Sequence, residues 1–165
     1  MLLRCHNPVH SSTLCISTGG PRIMLKHVLV AFGLAVAVGI TPVLTAVADG
    51  LAQPYLHIQL ALANDSMDGV ADAAQRIVQE AEKLGATAKS IGTAAASIGA
   101  AADINTARAA FGPLSDALIA YGDEVGFGDL KVAYCPMARK SWVQEDGAIL
   151  NPFYGSMMLN CGGFR

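Results

Sequence analysis

Between residues 54 and 125 the apolar positions recur at spacings of three and four, the period of one buried face of an α-helix, and this predicts four helices in succession. The first opens with Pro54 near its N1 position and carries Tyr55, Ile58 and Leu62 on one stripe before the polar break Asn64-Asp65. The second takes Ser66 as its N-cap and runs along Met67, Val70, Ala74, Ile77, Ala81 and Leu84 as a heptad-like seam, stopping at Gly85. The third, over residues 87–102, is rich in alanine around Ile91 and Ile98 and is weakened by Gly92 and Gly99. The fourth starts at Asp103 as N-cap and places Ile104, Ala107, Phe111, Leu114, Leu118 and Val125 together, with Gly112-Pro113 predicted to kink it. Stripes of this kind are core, and none is assigned chemistry.

After Gly126-Phe127-Gly128 the period changes. Leu130, Val132 and Tyr134 alternate, as do Trp142 and Gln144, which predicts a short hairpin or extended tail packed on the helices. Asn151-Pro152-Phe153-Tyr154-Gly155 is a turn signal that folds the chain back, so that Met158 and Cys161 can return beside Cys135 and Met137. The expected fold class is mainly α: an up-down bundle of about four helices over residues 49–129, followed by a short C-terminal β-hairpin or extended metal-binding tail over residues 130–165, packed on the same domain.

Ahead of the bundle the pattern is that of an export signal. Lys26 and His27 precede an apolar run from Val28 to Ile40, then come Pro42 and the small-residue pattern Ala46-Val47-Ala48, which predicts a signal peptide over residues 24–48 cut after Ala48. The run is shorter than the ~20 residues a membrane-spanning helix needs, so no stable span is expected after cleavage, and a periplasmic or secreted location follows. Met24-Leu25-Lys26 is a natural start for such a leader, which makes residues 1–23 an upstream extension of doubtful translation. Cys5, His6, His10 and Cys15 fall in it without the spacing of a tetrahedral metal site.

The segment from residue 49 onward carries all thirteen acidic residues and eight of the eleven basic ones, a net charge of −5, so the basic footprint that nucleic acid demands is missing. Its only cysteines are Cys135 and Cys161, and three of its four methionines, Met137, Met157 and Met158, lie within the span they bracket. Thiolate and thioether sulfur select Cu(I) over harder ions, which nominates Cys135, Met137, Met158 and Cys161 as a copper site, with Met157 and Trp142 as auxiliary positions. A disulfide between the same cysteines in an oxidising compartment is the competing reading, closing a loop of about 26 residues worth about 3.5 kcal/mol by loop entropy. Trp142 reads first as a core anchor and second as an aromatic face over a bound cation.

These residues also carry a resemblance. Cys135-Pro136-Met137-Ala138, Trp142-x-Gln144, Asn151-Pro152-Phe153-Tyr154-Gly155 and Met158-x-x-Cys161-Gly162, in that order, resemble an uncharacterised exported domain family found alone or fused to periplasmic adaptor subunits of copper and silver efflux pumps. Upstream, the segment around Tyr55, Ile58, Gln59 and Asp65 looks like that family's first helix, and Ala107-Arg108-x-x-Phe111-x-x-Leu114-Ser115 like its last. The resemblance implies a small helical domain with a metal-handling tail, linked to resistance to copper or related metals, and implies no catalytic activity. Phe153 stands where the family usually has tyrosine, Met157 where it often has a polar residue, and the chain stops three residues past Gly162, which predicts a frayed segment after Cys161.

His57, alone among histidines after processing, is expected to be a surface or hydrogen-bonded side chain, and Asp123-Glu124 and Glu145-Asp146 to be solvated turns. No triad, paired-carboxylate constellation, phosphate-binding loop or zinc-finger spacing is present, so no enzyme is expected. Two function classes stand. One is an exported Cu(I) protein, with Ag(I) as a second soft ion, that passes its metal to an efflux or storage partner. The other is a disulfide-closed helical module that docks on a heavy-metal efflux adaptor or another periplasmic protein without binding metal.

Overall fold

The structure is a computed structural model that describes Val47 and residues 49–165. The signal-like segment and the upstream cysteines and histidines lie outside the described residues, Val47 excepted. Four α-helices come first: α1 (Asp49–Ala63), α2 (Val70–Leu84), α3 (Lys89–Gly99) and α4 (Ile104–Val125), with a 3₁₀ turn at Gly85–Ala88 leading into α3. Three strands follow, β1 (Lys131–Cys135), β2 (Lys140–Gln144) and β3 (Gly163–Phe164), antiparallel in the order β2-β1-β3. Among the described residues no helix is long and apolar enough to cross a membrane. The architecture is therefore the mainly α one, a helical bundle with a small C-terminal sheet.

The helical stripes face the core. Tyr55, Ile58 and Leu62 of α1, Val70, Ala74, Ile77 and Ala81 of α2, Ile91 and Ile98 of α3, and Ala107, Phe111, Leu114 and Leu118 of α4 are all buried in one cluster. Each helix packs chiefly on the next in sequence, and the alanines and glycines of α3 let it lie close to α2: a Cβ on Gly92 would stand 3.1 Å from the Ala81 methyl. α1 meets α4 chiefly through Tyr55, whose ring stacks on Phe111, and β2 packs mainly on α4. Trp142 and Val143 of β2 and Ala133 and Cys135 of β1 thereby join the helical core.

Several boundaries differ from expectation for local reasons. α1 begins at Asp49, five residues before Pro54, so the proline lies inside the helix. There it withholds the N–H that would bond the Gly50 carbonyl, and its ring crowds that carbonyl, a cost confined to the second turn. Ser66 caps a turn instead of α2: its Oγ accepts from Asp68 N at 3.0 Å, and the helix starts after Gly69, which adopts φ 68°. α3 is shorter than residues 87–102 because its first turn tightens into the 3₁₀ form. Asp103 caps α4, its Oδ1 accepting from Asn105 N at 2.9 Å and Thr106 N at 3.0 Å, and α4 runs without a break through Pro113.

The hairpin has the opposite inward face on β1 from the apolar alternation. Ala133 and Cys135 point into the core, while Val132 is half-buried and Tyr134 exposed. Strand pairing sets this: Ala133 lies opposite Trp142, so the tryptophan's face decides β1's face, and small residues fit beneath the indole. The segment after Cys161 is not frayed, because β3 pairs with β1 and Arg165 N donates to Val132 O at 3.1 Å.

A single buried hydroxyl joins the two halves. Tyr55 Oη is 2.7 Å from Ser115 Oγ and accepts from Val143 N at 3.1 Å, tying α1, α4 and β2 together in a dry core. Burial, with no ionic partner to offset it, drives the phenol far above its ordinary pKa, so it stays protonated and bonded. Replacing Tyr55 with Phe leaves the Val143 N–H and the Ser115 hydroxyl short of a partner without changing shape. We expect urea unfolding to show a loss of about 1–3 kcal/mol, the cost of unsatisfied buried polar groups.

Candidate functional site

Cys135 ends β1, and the turn over residues 136–139 that leads to β2 needs the positive φ of Arg139, 51°. The register of β3 on β1, with Gly163 opposite Tyr134, carries Cys161 back to the Cys135 end of the sheet. The two sulfurs, 26 positions apart in sequence, stand 2.7 Å from each other. Cys135 is fully buried and Cys161 half-buried.

The turn also supplies donors. Ala138 N–H donates to Cys135 Sγ at 3.4 Å. Burial pushes the Cys135 thiol up, but hydrogen bonds from the Cys161 thiol, the Ala138 and Met137 amides and the Asn151 side chain outweigh it and bring it below the ordinary thiol value. Cys161 moves the other way, raised first by its hydrogen bond to Cys135, then by burial and by the neighbouring sulfur's charge.

Asn151 holds the returning loop. It is completely buried; its N–H donates to Leu159 O at 2.7 Å, its Nδ2 to Cys161 O at 3.0 Å, and its Oδ1 accepts from Phe153 N at 2.9 Å. Gln144, also buried, receives the Trp142 indole N–H at 2.9 Å and Leu150 N at 3.2 Å and donates to Ala148 O at 2.9 Å, which accounts for the Trp-x-Gln spacing along one strand face. Gln59 of α1 donates to Leu150 O at 2.6 Å. Gly162, at φ 137°, lies where a Cβ would meet the Trp142 ring and the Tyr134 carbonyl, both at 2.9 Å.

The far side of the loop is clamped by Arg108 of α4. Its Nε donates to Pro152 O at 3.0 Å, and its Nη2 to Leu62 O at 2.7 Å and to Asp65 Oδ1 at 2.6 Å. Asp65 Oδ2 in turn accepts from Ser156 N at 2.9 Å. Gly155, at φ 56°, is required here because a Cβ would collide with both the Asp65 carboxylate and the Arg108 guanidinium.

Of the predicted site residues, the fold unites Cys135 and Cys161. Met137 and Met157 are mostly exposed, at 67% and 78%, and Met158 is half-buried, its backbone carbonyl accepting from Cys161 N at 3.0 Å. Trp142 is fully buried with its edge toward Phe153, the anchor of the sheet. His57 Nε2 meets Asp68 O at 2.9 Å on the surface, beside a groove of about 530 Å³ that Arg76, Glu145 and Asp146 also line. Among the described residues, no three His, Cys, Asp or Glu side chains converge on one point. The sequence reading quoted Asn151, Arg108 and Asp65 only as parts of a motif and missed them as supports of the site.

The donor chemistry suits Cu(I): two soft sulfurs, with N–H bonds that stabilise a thiolate on one of them. The 2.7 Å spacing is the geometry of neither a shared ion nor a disulfide. An ion shared by two thiolates at bond lengths of about 2.3 Å holds the sulfurs roughly 3.7 Å or more apart, whereas a disulfide needs about 2.05 Å. No protein-family model, curated protein or solved structure matches the chain.

The clamp titrates. Hydrogen bonds from Arg108 and Ser156, together with the guanidinium charge, hold the Asp65 carboxyl well below the usual carboxylate range. A depressed carboxyl stabilises the fold above its unfolded pKa of about 3.9 and loses that contribution as pH falls through the lower folded value. Asp65 is partly exposed, so solvent screens the effect. Urea midpoints should place the parent above Asp65→Asn at neutral pH, with the gap constant down to about pH 5 and shrinking below about pH 4. A gap that widened in acid would overturn the assignment.

Proposed function

We propose that this domain is an exported soft-metal binding protein that holds Cu(I), and by the same chemistry Ag(I), through Cys135 and Cys161, with Met137 or Met158 completing the sulfur set. One observation carries the reading: the fold brings its only two described cysteines to one point and aims a backbone N–H at the more buried sulfur. Such donors lower the proton affinity of a sulfur and favour the thiolate that Cu(I) binds. The resemblance to domains fused to copper and silver efflux adaptors supports the same reading and suggests the partner, an efflux or storage protein of the periplasm that accepts the ion. Exposed Met137 and Met157 offer thioethers at the surface where such a transfer takes place. No step of catalysis is proposed.

The second reading, a disulfide-closed helical module that docks on an efflux adaptor without metal, rests on the same proximity of the two sulfurs. Isolation without reductant followed by alkylation and peptide mapping separates the two. Free thiols at residues 135 and 161 favour the metal protein; none favours the module.

Competition with a Cu(I) chelator under anaerobic reducing conditions tests the ligand set. Cys135→Ser or Cys161→Ser should weaken Cu(I) binding by about 100-fold or more, Met158→Leu by about tenfold or less, and Met157→Leu hardly at all, following thiolate over thioether strength. A double serine variant that bound as tightly as the parent, or a reduced parent that bound none, would end the metal reading.

A further inference from the structure

The two sulfurs are close but not equivalent, and the difference has a consequence for modification. Cys135 is sealed in the core, its sulfur covered by the turn that ends at Arg139, while Cys161 lies half-open on the returning loop. A small disulfide from solvent can reach only the open sulfur, because disulfide exchange needs in-line approach of three sulfurs. The sealed sulfur is 2.7 Å from the open one, already within striking distance of any adduct formed there.

We infer that Cys161 is a thiolation site for low-molecular-weight disulfides, that Cys135 resolves the adduct, and that the resulting Cys135–Cys161 disulfide shuts the metal site; this last clause rests on the Cu(I) reading above. In the first step Cys161 sulfur bonds to one sulfur of the small disulfide R–S–S–R. Its S–S bond breaks, and R–SH leaves with the Cys161 proton. In the second step Cys135 sulfur bonds to Cys161 sulfur, the Cys161–S–R bond breaks, and a second R–SH leaves with the Cys135 proton. Two electrons pass from the protein dithiol to the small disulfide, which ends as two thiols. The closed pair offers no thiolate, so Cu(I) loses both of its strongest ligands.

Two features of the fold make the second step internal. Asn151 pins the Cys161 carbonyl and the β3 pairing pins the residues after it, so the loop cannot swing the adduct away from Cys135. Gly162 keeps the backbone tight against the Trp142 ring at the same point.

The test treats the reduced, metal-free protein with oxidised glutathione and follows it by mass spectrometry with peptide mapping. The parent should pass through a glutathione adduct on Cys161 and finish lighter by two hydrogens, with residues 135 and 161 linked. Cys135→Ser should stop at the Cys161 adduct, and Cys161→Ser should react at Cys135 at least about tenfold more slowly, as burial dictates. Early-quench mapping of the parent reads the order of attack without any variant, so a misfolded variant leaves the test intact. An early adduct on Cys135, or a parent that halts with glutathione on Cys161, overturns the inference. Cu(I) titration of the two end states then separates the claims. A reduced parent that binds no Cu(I) defeats the metal reading and with it the shutting of the site, leaving the thiol order to the mapping. An oxidised parent that binds as tightly as the reduced one defeats the shutting alone.

Discussion

The structure depends on how a small sheet is fixed to the first and last helices of the bundle. The fixing element is the Tyr55 hydroxyl, which takes one bond from β2 and shares another with α4, and does so fully buried from solvent. A hydroxyl stranded there would cost more than the bond contributes, so the sheet has one position at which the core is both full and satisfied. Phe111 stacks on the Tyr55 ring at 5.1 Å between centroids and packs against Phe153 at 5.7 Å, which extends the apolar contact from the helices to the returning loop. Sheet position thus becomes loop position, and loop position determines where Cys161 arrives.

From that anchor the dithiol is built by constraints of increasing locality. The Arg108–Asp65 clamp and the buried Asn151 give the loop over residues 151–161 one path, with each polar group bonded to the helices or to itself. β3 then takes the last residues into the sheet, and the turn after Cys135 covers the inner sulfur. No buried side-chain nitrogen or oxygen among the described residues lacks a partner, so the polarity beneath the site is structural and fully used. The sulfurs are the remaining reactive groups there. Their unequal burial separates an outer sulfur that meets solvent from an inner one that meets only the outer.

Much of the fold was legible because helical stripes follow from a single rule. Ile58, Ile77, Ile98 and Leu118 are buried where a period of 3.6 puts them. Asp103 was legible as a cap because a short carboxylate before an apolar run has one favourable use. The hairpin face was not. Leu130, Val132 and Tyr134 look like the inner face until Trp142 is known to lie across from Ala133, and pairing of that kind is not written in either strand alone. For the site, the sequence showed which residues have soft-metal chemistry, and the turn at Asn151 allowed them to meet; the fold unites the two cysteines. It did not show that Met137 and Met157 stay exposed, since a methionine's flexible side chain suits core and surface alike. Nor did it show Arg108 as a clamp, because its three acceptors come from segments distant in sequence.

We propose that Cys135 and Cys161 act as one soft-metal site supported by this loop. X-ray absorption at the copper edge of the reduced, Cu(I)-loaded protein tests it most directly, since it reads the ligand atoms themselves. Two or three sulfurs bound to the copper, with no nitrogen or oxygen, are expected, and one sulfur fewer in Cys161→Ser. A shell dominated by nitrogen or oxygen, or one unchanged by that substitution, would contradict it.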